Sequence, residues 1–159
     1  MPVEQVVART DQVAVYLSSF SVYPNGFEFE VFAVAGDEES ELDPSGFHDL
    51  HSETTSPERL RLGFEFSDGS KVTNIGREFD VDWEADDSRP ASPVMSGVRG
   101  QGGEGQWSRT FWVWPLLPPG SLAFVCEWPA AGIPLTRVEL DAESIIGAAS
   151  RAQRLFGTD

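Results

Sequence analysis

Lysine is almost missing from this chain: of eleven basic residues only Lys71 is a lysine, set against twenty-six aspartates and glutamates. The net charge of −15 leaves no polybasic surface of the kind that phosphate backbones and anionic bilayers require. No nucleic-acid partner is expected. Asparagine is scarce as well, limited to Asn25 and Asn74, and with the lysine deficit this bias points to a GC-rich bacterial genome. A single cysteine, Cys126, excludes an internal disulfide. It lies in LAFVCEW, where Leu122, Phe124 and Cys126 alternate onto one strand face, and so it reads as a small buried hydrophobe. Long apolar runs are absent, because charges interrupt each one, and the first twenty residues lack a basic segment followed by an apolar one. Neither a membrane span nor a cleaved signal is expected, and the chain is assigned to the cytoplasm.

Catalytic signatures are missing too. There is no GxSxG nucleophile elbow. Gly100, Gly102 and Gly105 satisfy GxGxxG, but the strand-like WSRTFWVW follows where a pyrophosphate site needs a helix N-terminus. No GK[ST] follows either, which excludes a Walker loop. These glycines instead predict a mobile loop or a tight hairpin. Asp80, Asp82 and Glu84 alternate like calcium ligands, yet Ala85 and Ala91 stand where an EF-hand loop needs its glycine and its bidentate glutamate. The two histidines, His48 and His51, lie three residues apart in GFHDLHSE; with Asp49 they form the candidate metal set, since one helical turn would bring both imidazoles to the same side. The surrounding segment reads as loop, and no cofactor is expected.

What the chain does have is alternation. At 159 residues it forms one domain, and a compact chain of that size buries roughly 68–70% of its unfolded surface. Val13, Val15 and Leu17 take one face of a first strand, with Ala14, Tyr16 and Phe20 on the other. YPNG then signals a turn into FEFEVFAVA, where Phe27, Phe29, Val31 and Ala33 oppose Glu28 and Glu30. Leu60, Leu62, Phe64 and Phe66 alternate with charges before Asp68-Gly69 marks a second hairpin tip. SRTFWVW, LAFVCEW and LTRVEL supply further strands, and two Gly/Pro/Ser-rich stretches, about 36–58 and 85–106, read as long loops. Near the C-terminus, Asp141 caps a helix over 141–156, with Ile145, Ala149, Ala152 and Phe156 as its apolar stripe and Gly157 as its stop. The predicted architecture is mainly β, an antiparallel β-sandwich of about seven to nine strands with one C-terminal helix.

Four of the five tryptophans lie between Trp107 and Trp128. On SRTFWVW, Thr110, Trp112 and Trp114 share one face and Phe111 and Val113 the other. The tryptophan face is expected to pack inward beneath the terminal helix; turned outward, Thr110, Trp112 and Trp114 become a binding surface for a sugar ring, an apolar ligand or a protein. The run WVWPLLPPGSLAFVCEWPAAGI, together with the N-terminal VAVYLSSFSVYPNGFEFEVFAV, resembles a group of small uncharacterised bacterial proteins. That resemblance implies a stand-alone intracellular domain and carries no residue role.

Aromatic content without a catalytic constellation favours a non-enzymatic cytoplasmic module that binds a protein partner or a second copy of itself. Two alternatives remain open at this level. One is a small-ligand or carbohydrate-binding domain using the tryptophan face, and the other is a hydrolase using carboxylates near His48 and His51.

Overall fold

The computed structural model describes residues 2–36, 56–75 and 93–153. Along these run β1 (Pro2–Arg9), β2 (Val13–Tyr23), β3 (Gly26–Ala35), β4 (Arg61–Phe66), β5 (Lys71–Thr73), β6 (Val94–Gly103), β7 (Gln106–Trp114), β8 (Leu122–Trp128) and β9 (Ile133–Leu140). They form a five-stranded sheet in the order β1-β2-β3-β7-β6 and a four-stranded sheet in the order β5-β4-β8-β9. Every pairing is antiparallel. A helix, α1 (Ala142–Ser150), follows β9. The molecule is thus mainly β, two packed sheets with one C-terminal helix, as its alternation predicts.

Phenylalanines from both sheets meet in the space between them. Phe64 of β4 sets its ring edge-on to Phe29 of β3 at 4.9 Å and packs against Phe124 of β8 at 5.3 Å, while Phe29 stacks on Phe111 of β7 at 5.3 Å. These edge-to-face and offset contacts suit the ring quadrupole, and truncating one such fully buried phenylalanine costs about 3–5 kcal/mol. Trp128 closes one end, its indole N–H donating to the Glu58 carbonyl at 2.9 Å. Cys126 is buried in the same layer, and burial pushes its thiol up to about 11.

Several expectations change. Phe20 does not stay on the face opposite Leu17. A bulge at Ser18 breaks the pairing between Leu17↔Val31 and Ser19↔Glu30, and the extra residue turns Phe20 into the core. The stretch 85–106 is not one long loop, because Val94–Gly103 forms β6 and pairs with β7 through to Gly103↔Gln106. The hairpin outcome for the glycines is the one realised: Glu104 and Gly105, with φ of 52° and 78°, make a two-residue turn with both residues left-handed. The YPNG turn is different in kind, since Asn25 and Gly26 keep negative φ and Pro24 in the first loop position holds φ near −65°. Gly26 is needed for space, as a Cβ there would lie 2.6 Å from the Trp112 ring.

The helix begins as predicted, with Asp141 Oδ1 accepting the Ser144 N–H at 3.2 Å. It ends at Ser150 rather than at 156, in a tightened turn where the Arg151 N–H donates to the Ala148 carbonyl at 3.1 Å. Gly147 weakens its second half by about 1 kcal/mol relative to alanine. Its buried face, Ala142, Ile145 and Ala149, packs against β2 and not against the tryptophan face of β7.

Candidate ligand-binding groove

Strand β7 lies between β3 and β6 in its sheet, so both its edges are paired. Phe111 and Val113 point into the core opposite Phe29 and Phe27, which turns Ser108, Thr110, Trp112 and Trp114 to the outer side. The expectation that the tryptophan face packs inward is therefore overturned: Trp112 and Trp114 are half-buried on the outer side, and among the described residues Trp107 and Trp128 are the core tryptophans. The deciding factor is the partner strand, because β3 offers phenylalanines to one side of β7 and glutamates to the other.

Pairing then arranges the outer face in rows about 7 Å apart, two residues along each strand. One row places Tyr16, Phe32, Ser108 and Gln101 side by side across β2, β3, β7 and β6. Tyr16 and Phe32 stack face to face, with centroids 5.0 Å apart and planes 7° from parallel. The next row holds Glu30, Thr110 and Arg99. A third holds Glu28, Trp112 and Ser96, with Tyr23 edge-on to Trp112 at 5.6 Å.

The middle row is flanked by two bulges. On the β2 side Ser18 is the extra residue, and its hydroxyl donates to Glu30 Oε2 at 3.2 Å. On the β6 side the register slips between Gly97↔Phe111 and Arg99↔Thr110, so Val98 is extra and Arg99 takes the outer position beside Thr110. Bulges of this sort re-aim side chains and sharpen the local twist. Here they frame two joined depressions. A groove of about 370 Å³ is lined by Phe32, Gln101, Gly102, Gly103, Glu104, Gln106 and Ser108, and a smaller pocket of about 100 Å³ by Glu30, Arg99, Gly100, Gln101, Ser108 and Thr110. They share Gln101 and Ser108.

Ser108 and Thr110 form the floor, only 4% and 3% exposed, and their hydroxyls make no side-chain hydrogen bond among the described residues. Glu30 and Arg99 line the small pocket without an ion pair to each other or to any other described residue. The outer face of the other sheet is arranged oppositely. There Glu65 bonds to both Lys71 and Arg137, each at 3.2 Å, and these partners hold its carboxyl below the ordinary value of 4.5. Arg61 pairs with Glu127 at 3.0 Å on the same face. A depression there, about 120 Å³ and mostly apolar, lies among charges that are already matched.

Thr110, one of the residues singled out from sequence, lines the smaller pocket, Trp112 sits one row away, and Trp114 lies beyond it towards the strand end. His48, His51 and Asp49 fall outside the described residues, as do Asp80, Asp82 and Glu84. Among the described residues no group of three or more His, Cys, Asp or Glu could hold a metal ion, and no helix is long and apolar enough to cross a membrane. No family model, curated protein or solved structure matches the chain. Sequence reading missed Phe32, Ser108, Glu30, Gln101 and Arg99. Alternation in FEFEVF and QWSRTFWVW does put Glu30, Phe32, Ser108 and Thr110 on outward positions; the pairing of β3 with β7, which makes neighbours of them, has no local signal.

Proposed function

We propose that this domain binds a small, polar, hydrogen-bonding ligand in the groove on the outer face of its five-stranded sheet. The observation that carries the reading is the row Glu30–Thr110–Arg99: opposite charges left unbridged over the hydroxyls of two nearly buried residues, Ser108 and Thr110, between two bulges that aim them into one pocket. Small-ligand sites combine apolar walls with a few convergent polar groups, and Phe32 beside Gln101, Gln106 and Ser108 has that composition. The surrounding charge of −15, with Glu104 on the rim, disfavours phosphate-bearing ligands. The lone cysteine and acidic composition fit a binding protein of the reducing cytoplasm.

The test is an amide NMR titration against neutral sugars, polyols, nucleosides and amino acids. At least one class shifts residues 30–32, 99–103 and 106–110, and Thr110→Val abolishes the response with the fold retained. Shifts confined to other surfaces, or none from any class, would refute the reading.

A protein partner or a second copy of the chain is the other reading, favoured by one observation. Strand β6 ends its sheet, and Gly97–Gly103 are exposed with no strand on their outer side among the described residues. A long exposed edge of this kind accepts an added strand. Light scattering across a concentration series tests it, with a monomer at every concentration counting against self-association.

A further inference from the structure

We infer that the ligand of this groove is a zwitterionic α-amino acid, with its carboxylate on Arg99 and its ammonium group on Glu30. The inference rests on the groove reading above and adds the chemical class. Glu30 and Arg99 sit on either side of Thr110 in one row, two strand spacings or about 9.6 Å apart at the backbone. Both line the pocket of about 100 Å³, and no ion pair joins them. Opposite charges that face one small space without meeting leave room for two complementary charges between them. An α-amino acid carries those charges on two groups attached to the same carbon. Guanidinium takes a carboxylate through two parallel N–H bonds, and a carboxylate takes an ammonium through charge-assisted ones.

The floor supports the same ligand. Ser108 and Thr110 are more than nine-tenths buried as residues, line the pocket and make no side-chain hydrogen bond among the described residues, and neither hydroxyl is a buried unpartnered atom, so both open to the pocket and can bond the ligand's carboxylate. Ser18 steadies Glu30 by donating to its Oε2 at 3.2 Å. From this pocket the ligand's side chain runs past Gln101 and Ser108 into the groove of about 370 Å³, where Phe32 offers an aromatic wall and Gln106 an amide. A neutral sugar would leave both charges unmatched. A phosphate would bring a second negative charge up to Glu30 and Glu104.

Calorimetric titration of the wild-type chain with L-phenylalanine, L-glutamine and glycine tests this, each compared with its amide, which lacks the carboxylate, and its N-acetyl form, which lacks the ammonium. At least one zwitterion binds, and both of its analogues bind about tenfold more weakly or worse, the loss expected for a charge-assisted contact. Arg99→Gln removes the discrimination against the amide, and Glu30→Gln the discrimination against the N-acetyl form. If either analogue binds as tightly as its parent, the inference is wrong. If neutral sugars perturb the groove and no amino acid does, the inference fails while the groove reading stands; if nothing binds there, both fail.

Discussion

Asn74 offers a sharp test of how β4 is held. It follows the three-residue strand β5, whose ladder to β4 ends at Gly63↔Thr73, and its side chain takes over where that ladder stops. Asn74 Oδ1 accepts the Leu62 N–H at 3.0 Å and Nδ2 donates to the Leu60 carbonyl at 2.9 Å, while its own N–H donates to the Leu62 carbonyl at 3.0 Å. Its carbonyl accepts from the Arg59 guanidinium at 2.5 Å. Leu60, Leu62 and Asn74 are all buried, so water does not replace a lost partner. Asn74→Ala keeps the backbone bonds and deletes the two from the side chain. Each orphaned group costs about 1–3 kcal/mol, giving about 3 kcal/mol together after partial relaxation. For a domain of this size that lowers Tm by roughly 6–12 °C. Urea unfolding followed by tryptophan fluorescence measures it: the midpoint falls while the slope stays constant, because the surface exposed on unfolding is unchanged. Lys71→Gln, an exposed change in the neighbouring strand, serves as the control and shifts stability by less than about 1 kcal/mol. A loss from Asn74→Ala no larger than that of the control would refute the claim that the amide completes the β4 ladder.

Other expectations are simpler. Trp128→Ala costs about 3–5 kcal/mol from a fully buried site, whereas Trp112→Ala on the outer face costs under about 2, a contrast that thermal unfolding of the two variants resolves. Cys126, buried and with its thiol pushed up to about 11, stays unreactive towards a disulfide reagent at pH 8 and reacts at once in denaturant; rapid labelling of the native protein would show the strand assignment to be wrong. Asp141 has its carboxyl held below the ordinary 3.8, first by the Ser144 hydroxyl and then by the Ser144 N–H. Since the folded value is depressed, its contribution is complete above the unfolded value and lost as pH falls through the folded one. Asp141→Ala is therefore destabilising at pH 7, and the difference from wild type closes in acid, as pH falls below the ordinary carboxyl value and through the depressed folded one, in a pH series of melting curves.

The core was written locally to a large extent. Phe27, Phe29 and Val31 alternate with glutamates in β3, and Leu62, Phe64 and Phe66 alternate with charges in β4, so each strand announces its buried face without reference to any other. Where a bulge intervenes, alternation misleads. Phe20 reads as outward by simple parity and is inward because Ser18 adds a residue. Strand β1 gave no clean pattern for the same reason, having two register shifts within eight residues, and β6 hid behind glycines that look like loop and serve as strand.

Composition and period determined by themselves that this chain builds a mainly β domain with an acidic surface, a buried cysteine and a helix begun by Asp141. Those properties depend on a residue and its near neighbours, which a linear reading contains. The outer groove depended on tertiary structure alone. Glu30, Arg99 and Thr110 are separated by as many as eighty positions in the chain and become neighbours only because β7 lies between β3 and β6. The same pairing chose which face of SRTFWVW is core: β3 brings Phe27 and Phe29 to one side of β7, and burying phenylalanine against Phe111 and Val113 outweighs burying tryptophan against glutamate.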